Sequence, residues 1–149
     1  MLNQLQGVFS SFHSHDVRYV IIGGIAVILY GVPRATFDLD ILIEATPENA
    51  QRLLDALLDA GLGTASLTTA EALLAHEITI FRDKVRIDVQ TSTPGLEFDY
   101  AWANKEEMEY AGQVFYVASR HDIIASKRAA GRARDMEDVR LLELGDEEG

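Results

Sequence analysis

Residues 17–44 read VRYVIIGGIAVILYGVPRATFDLDILIE, and the order of features in this stretch decides the fold. Val17 to Ile22 has the β-branched character of a buried strand, Gly23-Gly24 interrupts it, and Ile25 to Tyr30 reads as a short helix. Gly31 and Pro33 stop that helix, because proline disfavours helical geometry in the residue before it. A second strand, from about Thr36 to Glu44, carries Asp38-Leu39-Asp40. Side chains in a strand alternate faces, so Asp38 and Asp40 share one face while Leu39, Ile41 and Ile43 share the other.

Two like charges roughly 7 Å apart on one strand face repel unless something positive lies between them. A hard divalent cation meets that need, since magnesium takes one or two carboxylates and completes its shell with water and phosphate oxygens. Strand, glycine turn and helix is also the order that a phosphate cradle requires. The plainer alternative is a solvent-exposed edge strand whose acids serve solubility.

A third acid comes from further along the chain. His76 to Arg82 and Val85 to Gln90 read as two strands of a hairpin about Asp83-Lys84, although the turn lacks the favoured glycine. Val85, Ile87 and Val89 face one way, so Arg86, Asp88 and Gln90 face the other. If the two acid-bearing strands are neighbours, Asp38, Asp40 and Asp88 converge.

The remaining elements frame this core. Leu2, Leu5, Phe9 and Phe12 recur at helical spacing over the first fifteen residues. Thr46 as cap and Pro47 at the first helical position open a helix whose apolar face is Leu53, Leu54, Leu57 and Leu58, with Gly61 as its stop. Thr68 with Glu71 suggests a capping box. Asp99 is placed to cap a helix from Tyr100 to about Met108, and Gln113 to Ala118 forms the last strand. Ser119 with Asp122 opens one long helix through Leu144, and an acidic tail from Asp146 is expected to fray.

At 149 residues and 48% apolar content, the chain predicts one domain over residues 1–149. The absence of cysteine excludes disulfides and thiolate zinc sites. The longest apolar run is broken by Gly23-Gly24 and too short to span a bilayer, and no signal segment is recognisable, so a cytoplasmic protein with no membrane partner is expected. A net charge of −11 argues against generic binding to a nucleic-acid backbone, whose affinity comes mostly from Lys and Arg. His13, His15, His76 and His121 lack metal-ligand spacing, and Phe98, Tyr100 and Trp102 read as packing in preference to a base-stacking platform.

Gly23-Gly24-Ile25-Ala26, Tyr30-Gly31, Arg34-Ala35-Thr36-Phe37-Asp38-Leu39-Asp40-Ile41 and Arg86-Ile87-Asp88-Val89 together resemble the nucleotidyltransferase superfamily, the fold of DNA polymerase beta. The flavour is that of small bacterial members related to abortive-infection nucleotidyltransferase toxins. The resemblance implies an α/β (α+β) fold: a mixed sheet with helices packed mainly on one face and a long C-terminal helix. It implies transfer of a nucleoside monophosphate from a nucleoside triphosphate to an acceptor hydroxyl, with pyrophosphate released. Asp38, Asp40 and Asp88 would hold Mg2+, two ions when nucleotide is bound, and Asp88 would help activate the acceptor. Gly23 and Gly24 would let backbone N–H groups approach the triphosphate. Arg34 either contacts the triphosphate or orients Asp38 or Asp40 through an ion pair. Lys127 resembles the lysine on the corresponding helix of toxin-related members and either reaches the nucleotide or joins the helix ion pairs, for which Arg134 and Asp138 have suitable spacing. Arg128 and Arg132 read as members of such pairs.

The acceptor is left open among an RNA end, a protein hydroxyl and a small molecule, and a protein partner is compatible. The sequence departs from many active relatives at Gly24, where they carry serine. That departure supports an alternative, a catalytically inactive nucleotide- or partner-binding module of the same fold, as in a toxin–antitoxin pair.

Overall fold

The structure is a computed structural model and describes residues 2–148; the expectation for the tail 146–149 falls on side chains and a terminal residue outside that description. In chain order the elements are α1 (Leu2–Ser14), β1 (Tyr19–Ile22), α2 (Gly23–Leu29), β2 (Asp38–Ile43), α3 (Pro47–Asp59), a 3-10 turn (Gly63–Leu67) and α4 (Ala70–Leu74). Then come β3 (Ile78–Arg82), β4 (Arg86–Gln90), α5 (Phe98–Asn104), β5 (Glu106–Tyr110), β6 (Gln113–Val117), α6 (Arg120–Ala130) and α7 (Ala133–Glu148). The strands form one mixed sheet in the order β3-β4-β2-β1-β6-β5. β2 and β4 run parallel, as do β1 and β6, while β1/β2, β3/β4 and β5/β6 are antiparallel. Fold class and sheet follow the sequence reading.

The face of β2 that carries Leu39, Ile41 and Ile43 is wholly buried. Register places Ile21 beside Ile41, and Phe9 and Phe12 of α1 pack on Tyr19 of the same face at ring distances of 6.4 and 4.8 Å. α3 joins this layer through Ser11 Oγ, which donates to the carbonyl of Ala56. Thr46 caps α3 by accepting from the amide of Asn49. Asn49 is itself buried and fully used: its side chain bonds both main-chain groups of Arg18 and the carbonyl of Glu44, tying α3 to the start of β1 and the end of β2.

The hairpin between β3 and β4 forms without a turn glycine because Asp83 organises it, accepting from the amides of Lys84 and Thr64. Five expectations need correction. Leu58, expected with Leu53, Leu54 and Leu57 on the buried face of α3, is exposed. Thr69, one residue after Thr68, caps α4 by accepting from the amide of Ala72. α5 starts earlier than expected, follows Glu97 with no side-chain cap, and ends at Asn104; Asp99 lies in its first turn. Residues Glu106–Tyr110, expected to continue that helix in part, form β5, paired to β6 across a turn at Ala111 and Gly112 with φ of 51° and 83°. The chain does end on a long helix, α7, but the single helix expected from Ser119 through Leu144 is divided: Gly131, at φ 68°, ends α6 in the left-handed region, and its amide donates to the carbonyl of Lys127. No helix among the described residues is long and apolar enough to cross a membrane.

Candidate functional site

The strand register builds the site. β2 and β4 lie side by side with Asp40 opposite Asp88 and Asp38 opposite Arg86, all on the face away from Leu39 and Ile41. Carboxylate oxygens of Asp38, Asp40 and Asp88 lie within 4.8 Å of one another, the only such cluster of potential metal ligands among the described residues. Asp88 is 8% exposed. Burial, then the charge and hydrogen bonding of Asp38 and Asp88, push the Asp40 carboxyl up to about 8.

This donor set fits a hard divalent cation. All the donors are carboxylate oxygens, and they converge closely enough that one carboxyl retains a proton at neutral pH when no cation is bound. A cation placed among them would supply the charge that the proton now supplies.

Register also sets Ile22 of β1 opposite Asp40, so the glycine turn begins beside the acids. Gly23 has φ 71°, and a Cβ there would lie 2.1 Å from Asp40 Oδ2. Only glycine allows the turn and the carboxylate to share that space. A Cβ on Gly24 would lie 3.0 Å from Thr36 Oγ1, so a hydroxyl contributed by Thr36 already borders the position where a serine would bring its own. Thr36 also donates to Asp38 Oδ1 at 3.4 Å.

Arg34 and Lys127 line a cavity of about 270 Å³ together with Gly23, Gly24, Asp38 and Asp40. Neither orients the acids. Arg34 Nη1 pairs with Asp138 Oδ2 at 2.6 Å, and Lys127 Nζ lies 3.0 Å from the same oxygen and 3.5 Å from Asp135 Oδ1. Arg132 Nε pairs with Asp135 at 2.6 Å. Burial tends to raise the Asp135 carboxyl, but the Arg132 hydrogen bond and the charges of Lys127 and Arg132 outweigh it and hold the group below its ordinary value. The expected Arg134–Asp138 pair does not form, because Asp138 is committed to Arg34 and Lys127. Arg134 lines the cavity and has no ion-pair partner among the described residues.

Sequence reasoning gave Asp135 no role and placed Asp138 in a pair with Arg134, whereas the two acids are 1% and 4% exposed and carry the cationic wall. Their spacing of three on an acidic-looking helix resembles an exposed face, and only the fold at Gly131 turns it inward. The histidines contribute nothing to the acid cluster. Phe98 and Trp102 stack on each other at 5.8 Å, and Trp102 meets Tyr116 edge-on at 5.3 Å. Trp102 borders a separate cavity with Asp16 and Arg18, which precede β1, so it lies at the opposite end of that strand from Gly23.

A mixed sheet that sets two acids of one strand and one of its parallel neighbour against a glycine turn defines a nucleotidyltransferase-like protein. Over residues 2–147 the chain matches the family described as nucleotidyltransferase of unknown function (DUF6036), and it belongs to that family. Comparison with curated proteins gives no match.

Proposed function

We propose that the protein is a magnesium-dependent nucleotidyltransferase that moves a nucleoside monophosphate from a nucleoside triphosphate to an acceptor hydroxyl. The observation that carries this is the convergence of Asp38, Asp40 and Asp88 within 4.8 Å, at a turn that only glycine can make, facing a wall of cations. Asp38, Asp40 and Asp88 would hold the metal, which when bound supplies charge compensation at the reacting phosphoryl group and the departing pyrophosphate. Arg34, Lys127 and Arg134 bind the triphosphate, with Gly23 and Gly24 leaving the main chain open to it. Asp88 orients the acceptor hydroxyl and takes its proton at a carboxylate oxygen. As the new bond from the acceptor oxygen to the α-phosphorus forms, the bond to the bridging oxygen breaks and pyrophosphate leaves.

The single sheet supports treating residues 1–149 as one domain, and a cytoplasmic location belongs to the same proposal because the substrates are abundant there. A cavity of about 740 Å³ takes in Asp38, Asp40 and Asp88, has Lys127, Arg132 and Arg134 on its wall, and extends past Arg86 to Ile78, Gln90, Ser92, Thr93 and Pro94. The net charge of −11 favours a protein hydroxyl or a cationic small molecule over an RNA end as acceptor. Labelled-nucleotide transfer to RNA alone, out of RNA, protein and small-molecule fractions, overturns this preference.

The first test is calorimetric binding of ATP, GTP, CTP and UTP with and without Mg2+, in wild type and Asp40→Asn. Magnesium-dependent binding lost in the variant is expected; equal binding by both proteins makes the acids structural. A second reading is an inactive nucleotide- or partner-binding module, as in a toxin–antitoxin component. It is favoured by Gly24, which carries no hydroxyl, and by Arg86, which occupies both oxygens of Asp88. Pyrophosphate release on any physiological acceptor eliminates it.

A further inference from the structure

Arg86 is the one cation bonded to the acid cluster among the described residues. Its Nε donates to Asp88 Oδ1 at 2.9 Å and its Nη2 to Oδ2 at 3.0 Å, a two-pronged pair between residues two apart on the same strand face. The Asp88 side chain is 12% exposed and that of Arg86 is 40% exposed. Arg86 also sits beside Asp38 in the parallel register.

A guanidinium spread across both oxygens takes one in-plane lone pair on each and blocks chelation of a metal ion by the two oxygens together. Its positive charge also repels any cation arriving among the three acids. We propose that Arg86 is a counter-ion latch: it neutralises Asp88 in the metal-free protein, and a divalent cation must displace it to engage all three carboxylates. The latch has room to open, because Arg86 borders the 740 Å³ cavity and its half-exposed side chain can leave Asp88 without disturbing Ile87 or Val89 in the core. Once displaced, the guanidinium stands at the rim of the Asp88 side of the site. This inference rests on the metal reading given under the proposed function.

The rival role has the opposite sign. If Arg86 only orients Asp88 as an outer support, its removal weakens metal binding. The experiment is a Mn2+ titration, followed by the electron paramagnetic resonance signal of the free ion, at fixed pH and ionic strength. Wild type is compared with Arg86→Met and Arg86→Gln, two neutral replacements that retain an unbranched stem, and with Asp40→Asn. Both Arg86 variants are expected to bind Mn2+ roughly tenfold more tightly than wild type, the effect of removing a unit charge about 6 Å from a divalent ion in a water-like medium. Unchanged or weaker binding by the Arg86 variants, with wild type still binding more tightly than Asp40→Asn, overturns the latch and leaves the metal reading standing. Binding by none of the four proteins overturns both.

Discussion

A carboxyl at Asp40 held near 8 makes the metal-free site a proton-binding site at neutral pH. Its ordinary value is 3.8, so between about pH 4 and pH 8 the folded state binds more protons than the unfolded one. Stability therefore falls as pH rises through that window and levels off above it. Thermal melts in EDTA across pH 5 to 9 are expected to show wild type losing stability and Asp40→Asn losing much less, with a difference at pH 9 on the order of a few kcal/mol. Parallel curves would mean that Asp40 is not the group that holds the proton. Gly23 tests the same carboxylate from the other side. Gly23→Ala puts a methyl group 2.1 Å from Asp40 Oδ2 at a φ of 71°, so it adds a clash to the ~1–2 kcal/mol cost of the left-handed conformation. Lower stability in denaturant melts and loss of Mn2+ binding are expected together, and retained Mn2+ affinity would show that the turn does not shape the site.

α7 acts on the site through two buried acids. Asp138 holds both Arg34, from the loop before β2, and Lys127, from α6, so one carboxylate joins three segments. Asp138→Asn leaves two cations facing a neutral amide, and the expected loss is about 3 kcal/mol, the low end for breaking a buried pair. Hydrogen exchange should locate that loss in α7 and the end of α6 while β1, β2 and β4 keep their protection; uniform acceleration would argue against a local hub. The same elements show where the sequence was readable. β1, α2 and β2 were legible because their apolar periods and the glycine and proline punctuation agree; strand parity put Asp38 and Asp40 on one face and Asp88 on the polar side of its strand, and the parallel pairing of β2 with β4 brings them together. β5 was not, because the stretch EEMEY places only Met108 and Tyr110 against the core, both partly buried, between exposed glutamates, and its turn opens with alanine where glycine or asparagine would signal a hairpin. The break at Gly131 was missed because the residues on both sides are good helix formers, and a lone glycine in such a run is tolerated in many helices. The burial of Asp135 and Asp138 was missed with it, since that depends on how α7 folds back.

At the scale of the whole chain, a net charge of −11 complicates any metal experiment, because salt of every kind relieves self-repulsion. Specific binding has to be separated from screening. A ligand that binds only the folded state at 100 times its dissociation constant stabilises it by about 2.7 kcal/mol. For a chain of this size that corresponds to a rise in Tm of roughly 5–10 °C. Mg2+ at saturating concentration is therefore expected to raise the Tm of wild type by several degrees over NaCl of equal ionic strength. In Asp40→Asn the two salts should differ little, because the general repulsion is unchanged while the converging carboxylates are reduced from three to two. The order of additions carries further information. Nucleoside triphosphate brings four negative charges to an acidic chain and should stabilise weakly alone, yet strongly with Mg2+ present, since the cationic wall of Arg34, Lys127 and Arg134 faces acids that only a metal compensates. Equal stabilisation by Mg2+ and matched NaCl in wild type, with no added effect of nucleotide, would assign the acidity of this face to solubility, and the sheet would then present Asp38 and Asp40 as a solvated face with no ligand of its own.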